Sequence, residues 1–261
     1  MLHQPARGYR VNLDAILLAA FAATARPRRP PVPGSPPFPL AADLGSATGA
    51  VALLLRRAGL VGRCLCVEAE PELAELARAN IRANDLADAL EPLTADLRGP
   101  LPPDWLARCD LVVANPPYLA LAAGRASPDP LRAAARHELR GGLPEFIAAA
   151  VRLLRPDGTL TLIHRWRRRA FVRDVLARAG FRTVRERRHL ARAGSTPLTF
   201  CVEARPAAPG TGSSAPELEE ELVVHEPGRR FSEPVDRFLD GDYVSVRRSA
   251  SSGTAPDRTT R

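Results

Sequence analysis

The sequence predicts an α/β protein in which seven strands form one mixed sheet with helices on both faces. Short apolar runs alternate with amphipathic helical segments over residues 40–205, which is typical of a sheet built from βαβ units. A turn rich in small residues, Gly45–Gly49, joins the first strand to the first helix of this region. A rigid turn, Asn115-Pro116-Pro117-Tyr118, directly follows the fourth strand. Ligands bind at the carboxyl ends of strands in such sheets, so both turns are candidate functional sites.

The composition favours a polyanionic partner. All 37 basic residues are arginine, and the net charge is +8. Because alanine and proline are also abundant, the arginine content indicates a compositional bias, and each single arginine is weak evidence for a site. Four cysteines lack CxxC spacing, so we expect small buried apolar groups, a reducing compartment and no metal.

The sequence of residues 1–39 predicts a turn, a helix and a Pro-rich extended connection. The helix begins near Asn12 or Asp14, and we expect it to cover one edge of the sheet. The apolar run Ile16–Ala25 imitates a signal peptide, but Asp14 lies against it and the run is too short to span a bilayer. We therefore expect a cytoplasmic protein without membrane association.

Residues 40–205 form the predicted core domain. Its first half predicts strands at 40–44, 63–67, 89–95 and 109–114, with helices at 50–57 and 72–84. Its second half predicts a loop at 119–132, helices at 144–154 and 170–179, and strands at 159–163, 181–188 and 198–204, the last two of which can pair antiparallel. A linker (206–216), a C-terminal appendage (217–245) with a strand at 222–224 and a helix at 235–239, and a disordered tail (246–261) follow.

The Asn115-Pro116-Pro117-Tyr118 turn suits recognition of a flat amine. The side-chain oxygen of Asn115 and the carbonyl oxygen of Pro116 can accept the two N–H bonds of an exocyclic amine and direct its lone pair outward. Tyr118 can stack on a base, a contact worth about 1–3 kcal/mol. Acceleration would come mainly from orientation, with the reacting atoms held roughly 3–3.5 Å apart. A Pro-Pro turn that merely ends a strand is the structural alternative.

Two carboxylates complete the pattern at the same predicted edge. Glu68 ends the second strand, about 20 residues after the glycines, which is the spacing of a residue that binds ribose hydroxyls. Asp96 follows the third strand and can accept a hydrogen bond from an adenine amine.

Together, Asp43–Gly49, Glu68, Asp96 and the Asn115–Tyr118 turn resemble the class I S-adenosylmethionine-dependent methyltransferases that modify amino groups. The resemblance implies a Rossmann-like sheet of order 3-2-1-4-5-7-6. It implies S-adenosylmethionine as the cofactor, bound through Asp43, Gly45, Gly49, Glu68 and Asp96. The Gly45–Gly49 loop would face the methionine part, Glu68 the ribose and Asp96 the adenine. Ala47 departs from the family, which usually has glycine there, and alanine would be strained if that position required a positive φ.

A narrower resemblance is to the bacterial tRNA(Val) adenine-N6 methyltransferases. It rests on residues 4–10 and 13–20, on Arg136-His137-Glu138, and on residues 222–225 with Phe231-Ser232. That family usually carries a short strand pair before the Gln4-Pro5 sequence, so we expect this piece to be missing or the start to be truncated. The resemblance implies methyl transfer to N6 of an adenine in tRNA, with Asn115, Pro116 and Tyr118 catalytic.

The substrate contacts would involve Pro117 and the basic run Arg167, Arg168 and Arg169, which could bind phosphates. The run Arg185–Arg188 is a second candidate, and a solvated surface is the alternative for both. We expect a monomer. Two other functions stay open: glutamine-N5 methylation of peptide release factors, whose enzymes carry an N-terminal helical domain for which there is no room here, and a catalytically silent cofactor- and RNA-binding module.

Overall fold

The computed structural model describes residues 2–4, 13–118, 142–208, 215–228 and 230–242. An eight-stranded sheet forms the centre of the described part. Its strands are β1 (Phe38–Leu44), β2 (Val61–Glu68), β3 (Leu90–Thr94), β4 (Cys109–Ala114), β5 (Leu154–Arg165), β6 (Phe181–Leu190), β7 (Pro197–Pro206) and β8 (Leu218–Val223). They lie in the order β3-β2-β1-β4-β5-β7-β6-β8, in which the first seven have the predicted order.

Helices cover both faces of this sheet, as predicted. Successive side chains of a strand point to opposite faces, so Ala41 and Leu111 pack on one side while Ala42 and Val112 pack on the other. The helices are α1 (Leu13–Ala23), α2 (Ala50–Arg57), α3 (Pro71–Ala83), α4 (Leu143–Leu153), α5 (Arg169–Arg178) and α6 (Glu233–Leu239). The first face carries α1, α2 and α6, with Ile81 of α3, and the second carries α4 and α5.

Helix α1 does not cover a sheet edge, and that prediction is wrong. It packs on α2 and on the interior strands β5 and β7. From Leu17 to Ala23 every residue is buried, so the helix is apolar all round. A helix of this kind is stable only inside the protein, which explains why its sequence imitates a signal peptide.

The C-terminal appendage extends the sheet by one strand. Strand β8 pairs in parallel with β6 and begins earlier than predicted, because its first half is acidic rather than apolar. Ion pairs across β6 and β8 replace apolar contacts there: Arg187 binds Glu220 and Arg188 binds Glu221. Helix α6 then packs its buried Phe238 into the α1 side of the core. The antiparallel pairing of β6 and β7 is confirmed.

Three further findings concern predicted absences and the cysteines. Within the described ranges, no helix is long and apolar enough to cross a bilayer. The same residues contain no cluster of three or more His, Cys, Asp or Glu side chains arranged to hold a metal ion. All four cysteines are buried free thiols. They lie on three strands of the sheet, packed in the core as small apolar groups: Cys64 and Cys66 on β2, Cys109 on β4 and Cys201 on β7.

Candidate active site

The carboxyl ends of three neighbouring strands, β2, β1 and β4, lie side by side in the sheet. Leu44 at the end of β1 is in register with Val67 of β2 and with Ala114 of β4. The next residues along these neighbouring strands are therefore Gly45, Glu68 and Asn115. The sheet order reverses direction at β1, and such a switch point opens a crevice at the carboxyl ends of the strands. The structure thus brings together three features that the sequence predicts to be functional: the Gly45–Gly49 loop, Glu68 and the Asn115–Tyr118 turn.

The Gly45–Gly49 loop depends on three residues with positive φ. Gly45 has φ 65°, Ala47 has φ 48° and Gly49 has φ 79°. The expected strain at Ala47 is therefore present, since a non-glycine residue in the left-handed region costs about 1–2 kcal/mol. Gly45 carries a second constraint, because a Cβ atom there would lie 2.8 Å from Cε1 of Phe146 in α4. The loop lies against α4 without room for a side chain.

We expect Gly45→Ala to destabilise the protein more than Gly59→Ala. Both glycines have similar positive φ (65° and 61°), so both variants share the backbone strain of about 1–2 kcal/mol. A Cβ at Gly59 would meet nothing within 4 Å. The clash with Phe146 should therefore add about 1–3 kcal/mol in Gly45→Ala alone. Urea denaturation measures this difference, and equal losses in the two variants would contradict the close packing of Gly45 on Phe146.

Glu68 links the loop to the start of α3. Its Oε2 accepts a hydrogen bond from the backbone N–H of Ala47 at 2.8 Å, and its Oε1 accepts one from Glu70 at 2.8 Å. The side chain is 7% exposed. A carboxylate has about four acceptor positions, so each oxygen keeps one for a ligand hydroxyl. Glu68 is therefore both a loop anchor and a potential hydrogen-bond acceptor for a ribose.

Two hydroxyls in the loop lack partners among the residues that the structure describes. The Oγ of Ser46 and the Oγ1 of Thr48 are buried there without a hydrogen bond. Buried polar groups are normally paired, so unpaired ones beside a glycine turn are consistent with a ligand that supplies the partner. Together with Glu68, this donor and acceptor set fits S-adenosylmethionine.

We expect Glu68→Gln to weaken cofactor binding about tenfold or more. The amide is nearly isosteric and keeps one acceptor oxygen, but it loses the charge that strengthens hydrogen bonds to ribose hydroxyls, an effect worth about 1.5–3 kcal/mol. Isothermal titration calorimetry with S-adenosylmethionine measures the affinity. The exposed Glu75, which pairs with Arg78 on α3, provides the control substitution Glu75→Gln. Unchanged affinity in Glu68→Gln would remove Glu68 from the cofactor site.

Asp43 lies beneath the loop rather than on its surface. It is 2% exposed, and its Oδ2 accepts a hydrogen bond from the backbone N–H of Ala52 in the first turn of α2 at 3.2 Å. Burial raises the pKa of Asp43 to about 7; the Ala52 hydrogen bond lowers it and the nearby Glu68 charge raises it further. The structure gives Asp43 a role that the sequence did not predict, since it anchors α2 behind the loop.

Asp96 is held by its own local ion pair. Arg98 donates through Nη2 to the Oδ2 of Asp96 at 2.6 Å, and the backbone N–H of Arg98 donates to Oδ1 at 2.9 Å. The Asp96 side chain remains 36% exposed. It follows β3, two strands from β1 at the same edge of the sheet. An adenine amine would therefore have to share this carboxylate with Arg98.

The Asn115–Tyr118 turn is half-buried, with Pro116 buried. The hydroxyl of Tyr118 donates a hydrogen bond to the Oδ1 of Asn115 at 2.9 Å. The ring of Tyr118 meets the ring of His164 edge-on, with centroids 5.1 Å apart. The guanidinium of Arg165 lies over the Tyr118 ring, 4.8 Å from its centroid. One face of the predicted stacking surface is thus covered by a cation.

Asp14 in the first turn of α1 is the residue that sequence reasoning missed at this site. Its carboxylate lies close enough to Tyr118 and Arg165 to interact with both. Burial raises the pKa of Asp14, against the lowering effects of Tyr118 and Arg165. Burial also raises the pKa of the Tyr118 phenol, and the charge of Asp14 adds to the rise. A single acidic residue at the start of an entirely apolar helix was the available sequence signal.

His164 stays neutral at this site. It is 3% exposed, and burial, with the positive charge of Arg168, lowers its pKa to about 4. Its Nδ1 accepts a hydrogen bond from the backbone N–H of Arg165 at 2.9 Å. His164 therefore packs against Tyr118 as an uncharged ring at physiological pH.

The basic run follows β5, the neighbour of β4, and so lies at the same edge as Asn115. Arg167 is exposed and makes no hydrogen bond or ion pair to any residue that the structure describes. Arg168 lies over the Phe171 ring at 4.2 Å. Arg169 instead pairs with Glu186 at 3.4 Å and with Glu219 at 3.2 Å. The three arginines therefore differ in how freely they could meet a phosphate.

The second basic run does not form a free cationic surface. Arg185 is 6% exposed and pairs with Glu203 at 3.1 Å and Glu220 at 3.4 Å. Its partners on β7 and β8 neutralise it inside the protein, so the interpretation of Arg185–Arg188 as phosphate contacts is wrong for Arg185. The predicted loop at 119–132 and the sequence Arg136-His137-Glu138 lie outside the described residues.

The strand order and the positions of the turns are those of the class I methyltransferase fold. A predicted O-methyltransferase from Agrobacterium tumefaciens has a similar structure, with a TM-score of 0.62 and 22% sequence identity, over 87% of this chain and 96% of that one. A ribosomal protein L11 methylase from Lactobacillus delbrueckii is also similar, with a TM-score of 0.52 and 16% identity, over 76% of this chain and 81% of that one. No protein-family model matches the sequence.

Several curated relatives are named as tRNA methyltransferases. The tRNA1(Val) (adenine(37)-N6)-methyltransferase of Porphyromonas gingivalis is 34% identical over 156 residues, which cover 59% of this chain and 58% of that protein. The enzyme of the same name from Parabacteroides distasonis is 25% identical over 91% of this chain and 92% of that one. The release factor glutamine methyltransferase of Burkholderia pseudomallei is 32% identical over 59% of this chain and 56% of that one. The chain therefore matches less than two thirds of the length of the relatives above 30% identity.

Proposed function

We propose that the protein transfers a methyl group from S-adenosylmethionine to the exocyclic N6 amine of an adenine in tRNA. The observation that carries the proposal is the meeting of the Gly45 loop, Glu68 and Asn115 at one edge of the sheet. A site of this kind needs a cofactor cradle beside a set of acceptors for an amine, and both are adjacent here. The names of the relatives from Porphyromonas gingivalis and Parabacteroides distasonis support the choice of tRNA.

The cofactor, when bound, supplies an electrophilic methyl group. The protein's own residues orient the nucleophile: the Oδ1 of Asn115 and the carbonyl oxygen of Pro116 accept the two amine hydrogens, which aims the nitrogen lone pair outward. Tyr118 supplies an aromatic surface beside these acceptors. The interaction with Asn115 strengthens as the nitrogen becomes tetrahedral and cationic, so it favours the transition state over the bound substrate. No group has to remove a proton before the methyl group moves.

Glutamine-N5 methylation of a release factor is the second candidate. It is favoured by the similarity to the release factor glutamine methyltransferase of Burkholderia pseudomallei. A side-chain amide is also a flat, delocalised NH₂ group, so the same acceptors would suit it. The net charge of +8 favours a polyanion over a protein substrate.

Parallel labelling separates the two candidates. The protein is incubated with radiolabelled S-adenosylmethionine and either total tRNA or purified release factor, and tRNA nucleosides are then analysed by mass spectrometry. We expect label in tRNA and a new N6-methyladenosine peak. Label in the release factor alone would overturn the assignment.

RNA binding should depend steeply on salt through Arg167 and Arg168. Replacing both by alanine should reduce the slope of log affinity against log salt by about 1–2, because each lost phosphate contact removes roughly 0.7–0.9 from that slope. Arg178→Ala is the matched control, since Arg178 lies at the other end of α5 and pairs with Asp174. Filter binding of tRNA over a salt series measures both slopes. An unchanged slope in the double variant would identify this run as a solvated surface.

A further inference from the structure

The side chain of Asn80 in α3 joins two segments that are distant in the sequence. It is fully buried. Its Nδ2 donates one hydrogen bond to the carbonyl oxygen of Thr48, in the Gly45–Gly49 loop, at 3.0 Å, and another to the carbonyl oxygen of His3 at 2.9 Å. Its Oδ1 accepts the backbone N–H of His3 at 2.5 Å. A side-chain amide has two N–H donors, and both are used here.

These contacts fix the orientation of the Asn80 amide. A carbonyl oxygen can only accept a hydrogen bond, so the amide nitrogen must face the carbonyl groups of Thr48 and His3. The other two contacts engage both polar groups of the His3 backbone, as paired residues of neighbouring antiparallel strands do. Leu2 is partly buried against the core cluster that contains Ile81 of α3. The segment at residues 2–3 is therefore docked on the protein at a defined position.

The Gly45–Gly49 loop lies against the same helix. A Cβ atom at Gly49 would be 3.5 Å from the Cβ of Ala77, on the turn of α3 before Asn80, so the loop backbone packs closely on α3. Thr48 also carries one of the two buried hydroxyls that have no partner among the described residues. Asn80 therefore fixes the loop backbone at a residue that offers a free hydroxyl to a ligand.

We propose that Asn80 is a positioning residue for the cofactor, which couples the docking of residues 2–3 to the conformation of the Gly45–Gly49 loop. When His3 is docked, its two hydrogen bonds hold the amide so that the second N–H is directed at the carbonyl of Thr48. When His3 leaves, the amide loses two of its three bonds and is free to turn away from Thr48. Coupling is reciprocal, so bound S-adenosylmethionine must in turn hold residues 2–3 more firmly. This role rests on the proposed function for its cofactor alone and not for its substrate.

The alternative role for Asn80 is to stabilise the fold without affecting the cofactor. A buried amide that satisfies three backbone groups does so in any protein, and its loss leaves those groups unpaired. Both roles predict that Asn80→Ala lowers the free energy of unfolding. They differ at His3, which is exposed, because only the positioning role predicts that the loss of a hydrogen bond there changes cofactor affinity.

Substitutions at His3 separate the two roles without disturbing the core. His3→Pro removes the N–H that Asn80 accepts, whereas His3→Ala keeps this N–H and removes only the imidazole. We expect His3→Pro to weaken the binding of S-adenosylmethionine about fivefold, the effect of one hydrogen bond, and His3→Ala to bind like the unsubstituted protein. Isothermal titration calorimetry measures both affinities. Equal affinities in the two variants would overturn the proposal.

Asn80→Ala removes the junction itself and should weaken cofactor binding about tenfold or more, because the Thr48 carbonyl loses its buried donor. Asn84→Ala is the matched control, since Asn84 is the same residue type at the end of α3 and donates to the carbonyl oxygen of Asn80 at 2.8 Å. It should keep the full cofactor affinity. Urea denaturation of both variants measures stability separately. Reduced stability with full cofactor affinity in Asn80→Ala would leave Asn80 only its structural role.

Hydrogen exchange at the His3 amide gives a readout that needs no substrate. The chain has five histidines, so protein labelled with ¹⁵N-histidine gives few backbone signals, and His3→Ala identifies that of His3. S-adenosylmethionine should slow exchange of this amide in the unsubstituted protein and leave it unchanged in Asn80→Ala. Exchange that the cofactor does not slow in the unsubstituted protein overturns the coupling. A protein that shows the coupling but methylates neither tRNA nor release factor overturns the proposed function instead.

Discussion

Replacing Asn115 by alanine should lower kcat for methyl transfer by roughly 10²–10³-fold, the range seen when one preorganised hydrogen-bonding group is removed from a transition state. The side-chain oxygen of Asn115 is an acceptor that matters most as the nitrogen becomes cationic. Affinities for cofactor and tRNA should stay nearly unchanged, because Asn115 follows β4 while the cofactor loop follows β1. Single-turnover kinetics with labelled cofactor, together with calorimetry, separate these quantities.

Asn115→Asp provides the conservative comparison. Aspartate has nearly the same shape and keeps an acceptor oxygen at the same place, so it should retain more activity than alanine. Equal loss in both variants would show that the amide N–H, rather than its oxygen, carries the effect. If Asn115→Ala kept normal kcat, the turn would only end the strand, as the structural alternative holds.

Replacing Asp43 by asparagine should remove a pH-dependent contribution of up to about 4 kcal/mol from the free energy of unfolding. The pKa of Asp43 is about 7 in the folded protein, against 3.8 as its ordinary value. Between these two values the folded state holds more protons than the unfolded state, so the contribution of Asp43 to the free energy of unfolding falls as the pH rises from about 4 to about 7. The oxygen of asparagine can still accept the hydrogen bond from Ala52. Because asparagine does not titrate, its contribution to stability does not change with pH.

The measurement compares urea denaturation of both proteins between pH 4 and pH 8. The free energy of unfolding of Asp43→Asn should rise relative to the unsubstituted protein across this window. Other titrating groups are common to both proteins and cancel in the difference. Asp174→Asn, which alters an exposed ion pair, should show little relative change. A constant difference for Asp43→Asn would mean that Asp43 titrates alike in the folded and unfolded chains.

The sequence by itself determined the order of elements and the main turns of the site. Alternating apolar strands and amphipathic helices are local patterns, and they predicted α2 over 50–57 and β4 over 109–114 at their observed bounds. The Gly45 loop and the Asn115 turn are contiguous in sequence, so their residue types were readable without the fold. Glu68 and Asp96 were identifiable because Glu68 ends β2 and Asp96 follows β3, and the carboxyl ends of these parallel strands lie on the same side of the sheet.

Only the tertiary structure decided which side chains these turns meet. Asp14 reaches Tyr118 and Arg165 from a helix that packs on β5 and β7, and no periodic pattern links residues so distant in the chain. The pairing of β8 with β6 could not be predicted either, because the acidic residues of β8 pair with arginines on β6 instead of forming an apolar stripe. Periodicity reports how a segment buries its own surface, whereas these contacts depend on which partners the folded chain brings beside it. For that reason the sequence predicted the Asn115–Tyr118 turn, and the structure alone showed that Asp14 lies close to its tyrosine.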